Sequence, residues 1–170
     1  MRTSFVAGNW KMNGSASSAR ALAQAVAKGA GPALCAQVDI ALCPPFVYLS
    51  AVHEVLAEAG SNVGLGAQNV SEHDNGALTG EISPVMLSDF DCRYVIVGHS
   101  ERRHLYGETD AQVAAKFIAA QAVGMCPILC VGEQLDDREG ARTEAVVARQ
   151  LDAVIAAASV SAFDAAVVAY

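Results

Sequence analysis

The chain has 170 residues, which is room for one domain with a real core and too little for two ordinary ones. Hydrophobic residues at 53% against 17% charged exclude a disordered chain, and a formal net charge of −7 argues against a nucleic-acid partner and against docking on an anionic membrane. The longest charge-free run, 117–132, is interrupted by Gln121, Gly124 and Pro127 and falls short of a membrane span.

No apolar run follows a basic cluster at the N-terminus, so no signal peptide is expected. The first predicted strand, 5–10, leads into Asn9-Trp10-Lys11. A helix follows, with Leu22 and Val26 one turn apart and Gly29 as its stop. After a second strand, 38–43, the residues Phe46, Leu49, Val52 and Leu56 recur at helical spacing as far as Gly60. The third strand, 63–68, ends in Gln68-Asn69, and Ser83-Pro84 reads as an N-cap followed by proline in the first turn. The fourth strand, 94–98, runs into His99-Ser100-Glu101-Arg102-Arg103. Val113 and Phe117 share a face of the next helix, which Gly124 ends. The fifth strand, 127–131, leads to Glu133, and Val147, Leu151, Val154 and Ile155 stripe the last helix before strand six, 165–170.

These strands are rich in Val, Ile and Leu without strict alternation, as in a parallel sheet covered on both faces. They recur about every 25–38 residues, the length of a βα unit. With no linker in between, 1–170 reads as a single domain. Two architectures fit, a doubly wound open sheet or the beginning of a (β/α)8 barrel, and periodicity does not separate them.

Five cysteines are present, so at least one is unpaired. Cys126 and Cys130 fall in one strand, where four steps put their Cα atoms about 13 Å apart, beyond disulfide reach. No paired Cys/His spacing suggests zinc. The cysteines read as small buried hydrophobes in a reducing cytosol, which points to a cytoplasmic protein.

Both architectures put chemistry at the C-terminal ends of strands. There the sequence offers Lys11 as a fixed cation, His99 as an acid, base or electrophile, and Glu101 and Glu133 as carboxylates. Plainer roles compete with these. Lys11 is also what a solvated surface lysine looks like, and His99 fits a capping or core histidine. Glu101 with Arg102 and Arg103 fits a surface charge cluster, and Glu133-Gln134 the start of a polar loop. Arg2, His53, His73 and His104 show no partner pattern and read as surface residues. No GxGxxG, P-loop or GxSxG motif is present.

Five segments, in order along the chain, resemble the triosephosphate isomerase family. They are Ala7-Gly8-Asn9-Trp10-Lys11-Met12-Asn13-Gly14, Gly66-Ala67-Gln68-Asn69-Val70, Gly76-Ala77-Leu78-Thr79-Gly80-Glu81, Gly98-His99-Ser100-Glu101-Arg102-Arg103 and Cys130-Val131-Gly132-Glu133. The resemblance selects the barrel. It implies interconversion of dihydroxyacetone phosphate and glyceraldehyde 3-phosphate through an enediolate, in a homodimer, with no metal or cofactor. By the same resemblance, His99 is the neutral electrophile at the start of a short helix from Ser100. Lys11 stabilises negative charge on the substrate, Asn9 holds its oxygens, and Glu101 positions Lys11. Thr79 contacts the partner subunit's site, and Glu133 supports the hinge of a lid.

The family's base is a glutamate directly after an Ala-Tyr pair, and the sequence stops at Ala169-Tyr170. The base, the lid and the phosphate loops of strands seven and eight are therefore expected to be missing. What remains is six strands and five to six helices of an incomplete barrel of typically about 250 residues. Its first and sixth strands lack a closing partner. The expectation is a chain that is unstable alone or completed by another segment, and nearly inactive. One alternative is a non-catalytic fragment that keeps only the dimer loop, 68–81. A nucleotide-dependent oxidoreductase would need a glycine-rich turn that Gly8-Asn9-Trp10-Lys11 does not supply.

Overall fold

A computed structural model describes residues 3–170. Arg2 lies outside the described residues. The chain alternates strands β1 (Ser4–Asn9), β2 (Val38–Cys43), β3 (Gly64–Ala67), β4 (Cys92–Val97), β5 (Cys126–Cys130) and β6 (Val167–Ala169) with helical segments. The helices are α1 (Ala16–Gly29), α2 (Pro32–Cys35), α3 (Leu49–Glu58), α4 (Pro84–Ser88), α5 (Ser100–Leu105), α6 (Asp110–Ala122), α7 (Leu135–Glu139) and α8 (Thr143–Ala158). The six strands fall where the sequence puts them, within two residues. The short helices α2 and α7 are not expected from the sequence, because four or five residues carry too little periodicity to read.

Two compact units make up the chain. The first comprises residues up to Gln68 together with Val85–Val95. Here β1 pairs with β2, β2 with β3 and β3 with β4, all parallel. Strand β3 reads Gly-Leu-Gly-Ala because Tyr94 needs the space: a Cβ on Gly64 would lie 2.7 Å from its ring. On Gly66 a Cβ would lie 2.7 Å from the Cys43 sulfur. Helix α3 buries Leu49, Val52 and Leu56, as the spacing predicts, with Val55 beside them, while Phe46 precedes the helix and is half-buried. Helix α1 departs from its predicted stripe: it buries Ala19 and Ala23, while Leu22 is 47% exposed. The alanines allow close approach to α3, and Leu22 instead borders an apolar recess with Trp10. Gly29 is the last helical residue, with Ala30 as cap. Strand β1 is not covered on both faces as expected, since Val6 is 59% exposed.

The second unit holds Asn69–Pro84 and Ile96–Tyr170. Strands β5 and β6 pair in parallel. Phe117, Val113 and Ala120 of α6 pack with Val154 of α8, and the Phe117 and Phe163 rings meet at 5.4 Å. The buried face of α8 runs through Val146, Gln150 and Val154, rotated from the expected stripe, of which Val154 is buried and Val147, Leu151 and Ile155 are half-buried. Gln150 accounts for the rotation, because its amide brackets Gly132, accepting from the N–H at 2.8 Å and donating to the carbonyl at 3.1 Å.

All five cysteines are free thiols. Burial, with the Asp91 charge, pushes Cys92 up to about 12. Burial also pushes Cys130 up to about 11 against the opposing pull of Arg103. Both stay protonated at neutral pH and behave as small hydrophobes, as the sequence suggests.

Candidate active site

In the first unit, the candidates cluster where β1 ends. Asn9 accepts the Lys11 N–H through Oδ1 at 3.0 Å, and Trp10 N–H donates to the Cys43 carbonyl at 3.1 Å. Lys11 is a non-glycine residue at φ 52°, a left-handed conformation that costs about 1–2 kcal/mol. Its backbone is held at both ends. Gln68 Nε2 donates to the Lys11 carbonyl at 2.9 Å and to the Cys43 carbonyl at 2.8 Å. The structure thus gathers Asn9, Lys11 and Gln68 around one turn, and the strain there is a property of the lysine itself.

The second unit carries the other candidates. Gly98 turns the chain out of β4 at φ 67°, and His99 follows as the N-cap of α5. His99 Nδ1 accepts the Glu101 N–H at 3.2 Å. With Nδ1 accepting, a neutral imidazole carries its one N–H on Nε2. The Glu101 carboxylate lies 3.4 Å from the same Nδ1. Glu133 heads the segment after β5. Its carboxylate accepts from Arg138 at 2.8 Å, from the Tyr170 hydroxyl at 3.0 Å and from Thr143 at 3.2 Å. Glu133 is held down to about 2, first by its own backbone N–H and next by Arg138, with the Tyr170 and Thr143 hydroxyls adding to the effect against burial. A recess of about 390 Å³ opens beside it, lined by Gln134, Leu135 and Arg138 among others. Thr79 is exposed on the loop after Asn69.

The surface reading of Arg102 and Arg103 does not hold. Arg103 is 7% exposed, and Arg102 donates to the buried carboxylate of Glu108 at 3.0 Å. Lys116 bonds the same carboxylate oxygen and also donates to Asn69 Oδ1 at 3.0 Å. Burial alone would push Glu108 up, but the Lys116 and Arg102 bonds and charges outweigh it and the net shift is downward. Of the remaining histidines, His53 is half-buried with Nδ1 3.9 Å from Asp91, His73 is exposed, and His104 is exposed and bonded to Gln134. One sequence signal points at this network: Lys116 sits at i+3 from Val113 and i−4 from Ala120, on the apolar face of α6. A charge at that position calls for a buried partner. Asp110 and Gln150 carry no comparable signal.

Among the described residues, no three His, Cys, Asp or Glu side chains are placed to hold a metal ion, and no helix is long and apolar enough to cross a membrane. The family model for triosephosphate isomerase matches residues 4–170. The chain belongs to the triosephosphate isomerase family. The triosephosphate isomerase of Thiobacillus denitrificans is 59% identical over 170 residues, which is 100% of this chain and 66% of that protein. That of Nitrosococcus oceani is 55% identical over the same shares. The enzyme of Alcanivorax borkumensis is 53% identical over 99% of this chain and 65% of its own length. The chain thus spans just under two thirds of the relatives it matches. Its fold is that family's (β/α)8 barrel, represented by six parallel strands of an incomplete barrel.

Proposed function

We infer that the complete gene product interconverts dihydroxyacetone phosphate and D-glyceraldehyde 3-phosphate through an enediolate. The observation that carries the reading is His99 Nδ1 accepting the Glu101 N–H, because it leaves Nε2–H free to donate to a substrate oxygen. As a proton leaves the carbon next to the carbonyl, negative charge develops on that oxygen. The neutral imidazole donates to it and then moves the proton between the two oxygens. Lys11 supplies fixed positive charge to the oxygen and phosphate, Asn9 holds the substrate oxygens, and Glu101 positions the lysine. No cofactor takes part. Thr79 serves a homodimer contact, Glu133 braces the lid hinge, and the enzyme works in the cytoplasm on a small phosphorylated triose.

A polypeptide of residues 1–170 alone has no carboxylate where the family's base acts, and loss of a general base costs about 10²–10⁴-fold in rate. A coupled assay tests both statements. Turnover is expected from the complete product and is expected to be nearly absent from 1–170. No turnover from the complete product overturns the assignment, and full turnover from 1–170 overturns these residue roles.

A further inference from the structure

We propose that Arg103 is the positioning residue of His99, an inference that rests on the isomerase reading of that histidine. Gly98 is the last residue before His99, and the Arg103 guanidinium sets its peptide. Nε donates to the Gly98 carbonyl at 2.7 Å, Nη1 to Asp110 Oδ1 at 2.6 Å and Nη2 to the Cys130 carbonyl at 3.2 Å. Three nitrogens of one planar group, aimed at three separate acceptors, leave the group a single orientation. The far side is braced as well, because Arg149 donates to Asp110 Oδ2 at 2.9 Å. Packing closes the turn: a Cβ on Gly98 would lie 2.7 Å from Arg103 Nη2 and 2.8 Å from a Val113 methyl.

The Gly98 peptide fixes the direction in which His99 leaves the strand. His99 then sits at φ −54°, ψ 142°, and from there its Nδ1 meets the Glu101 N–H at 3.2 Å. That bond is at the long end of the useful range, so a small rotation of the preceding peptide breaks it. With it goes the feature that keeps the proton on Nε2. A lysine at 103 has one nitrogen on a flexible stem and cannot hold three acceptors. A purely structural ion pair would behave differently, since its loss would lower stability and leave the folded enzyme's imidazole unchanged.

The test uses the complete gene product with Arg103→Lys, steady-state kinetics and 15N NMR of the His99 ring. Misplacement of a reacting group predicts that kcat falls about 10- to 100-fold, with KM changed by less than about threefold. The ring spectrum is expected to lose the single unprotonated Nδ1 signal and show mixed tautomers. Asp110→Asn removes the charge that anchors the guanidinium and is expected to shift both readouts the same way by less. It decides the matter if Arg103→Lys does not fold. A folded variant with parental kcat, or with a parental ring spectrum whatever its kcat, overturns the proposal. If the unsubstituted protein shows no isomerase activity, the proposed function falls, and the ring spectra still decide the role of Arg103.

Discussion

The turns after β1 and after β4 hold their functional side chains by opposite means. The turn at Lys11 is exposed and strained, and neutral groups hold it: the Asn9 and Gln68 amides and the Cys43 carbonyl. The turn at His99 backs onto a charged network in which Arg103, Glu108 and Lys116 all have side chains 7% exposed or less. Neutral hydrogen bonds net about 1 kcal/mol each, whereas removing one partner of a buried ion pair strands the other charge at several times that cost. The two turns should therefore differ sharply in tolerance to substitution.

The largest expected effect is Lys116→Met in the complete gene product. It removes the buried one of the two cations on the Glu108 carboxylate and leaves Arg102 to hold it, while Oε2 already lacks a hydrogen-bond partner among the described residues. Stability measured by urea unfolding is expected to fall by about 3–5 kcal/mol. Next comes Gly98→Ala, which combines a left-handed φ with contacts of 2.7 and 2.8 Å. Strain and overpacking together predict a loss of about 2–4 kcal/mol in the same measurement. Gln68→Leu should cost less, about 1–3 kcal/mol, since it leaves the Lys11 and Cys43 carbonyls short of one donor each. A loss from Gln68→Leu as large as that from Lys116→Met would break the comparison.

The contrast also marks what the sequence can reveal. The β1 end is legible because its chemistry is local: Asn9, Trp10 and Lys11 lie next to one another, and their partners come from the ends of neighbouring strands. The strands themselves are legible because a doubly covered strand has few residue types to choose from. The network behind His99 is not legible. Arg103 reaches Cys130 across 27 positions, and Lys116 reaches Asn69 across 47. In the linear sequence, Arg102 and Arg103 cannot be told from a solvated pair. The faces of α1 and α8 escape the sequence for a related reason. Hydrophobic spacing points to Leu22 and Val147, but close helix packing selects alanines in α1, and the bonds to Gly132 draw Gln150 inward.

A further effect, whose signature is its disappearance in acid, concerns Glu133. Its carboxylate stands at about 2 against an ordinary 4.5, and its side chain is 3% exposed. A carboxyl whose folded value lies below its unfolded one binds fewer protons when folded. Its contribution to stability is therefore complete above about 4.5 and drains away as pH falls towards 2. Glu133→Gln removes this titration and keeps an acceptor for Arg138 and Tyr170. Thermal unfolding midpoints of the parent and the variant are thus expected to run parallel above pH 5 and converge between about 4.5 and 2. Curves that stay parallel throughout that acid range would show that the Arg138–Glu133–Tyr170 cluster does not hold the ionised carboxylate in solution. The segment after β5 would then rest on the Gln150 amide at Gly132, closer in kind to the amide-held turn at Lys11 than to the charged one at His99.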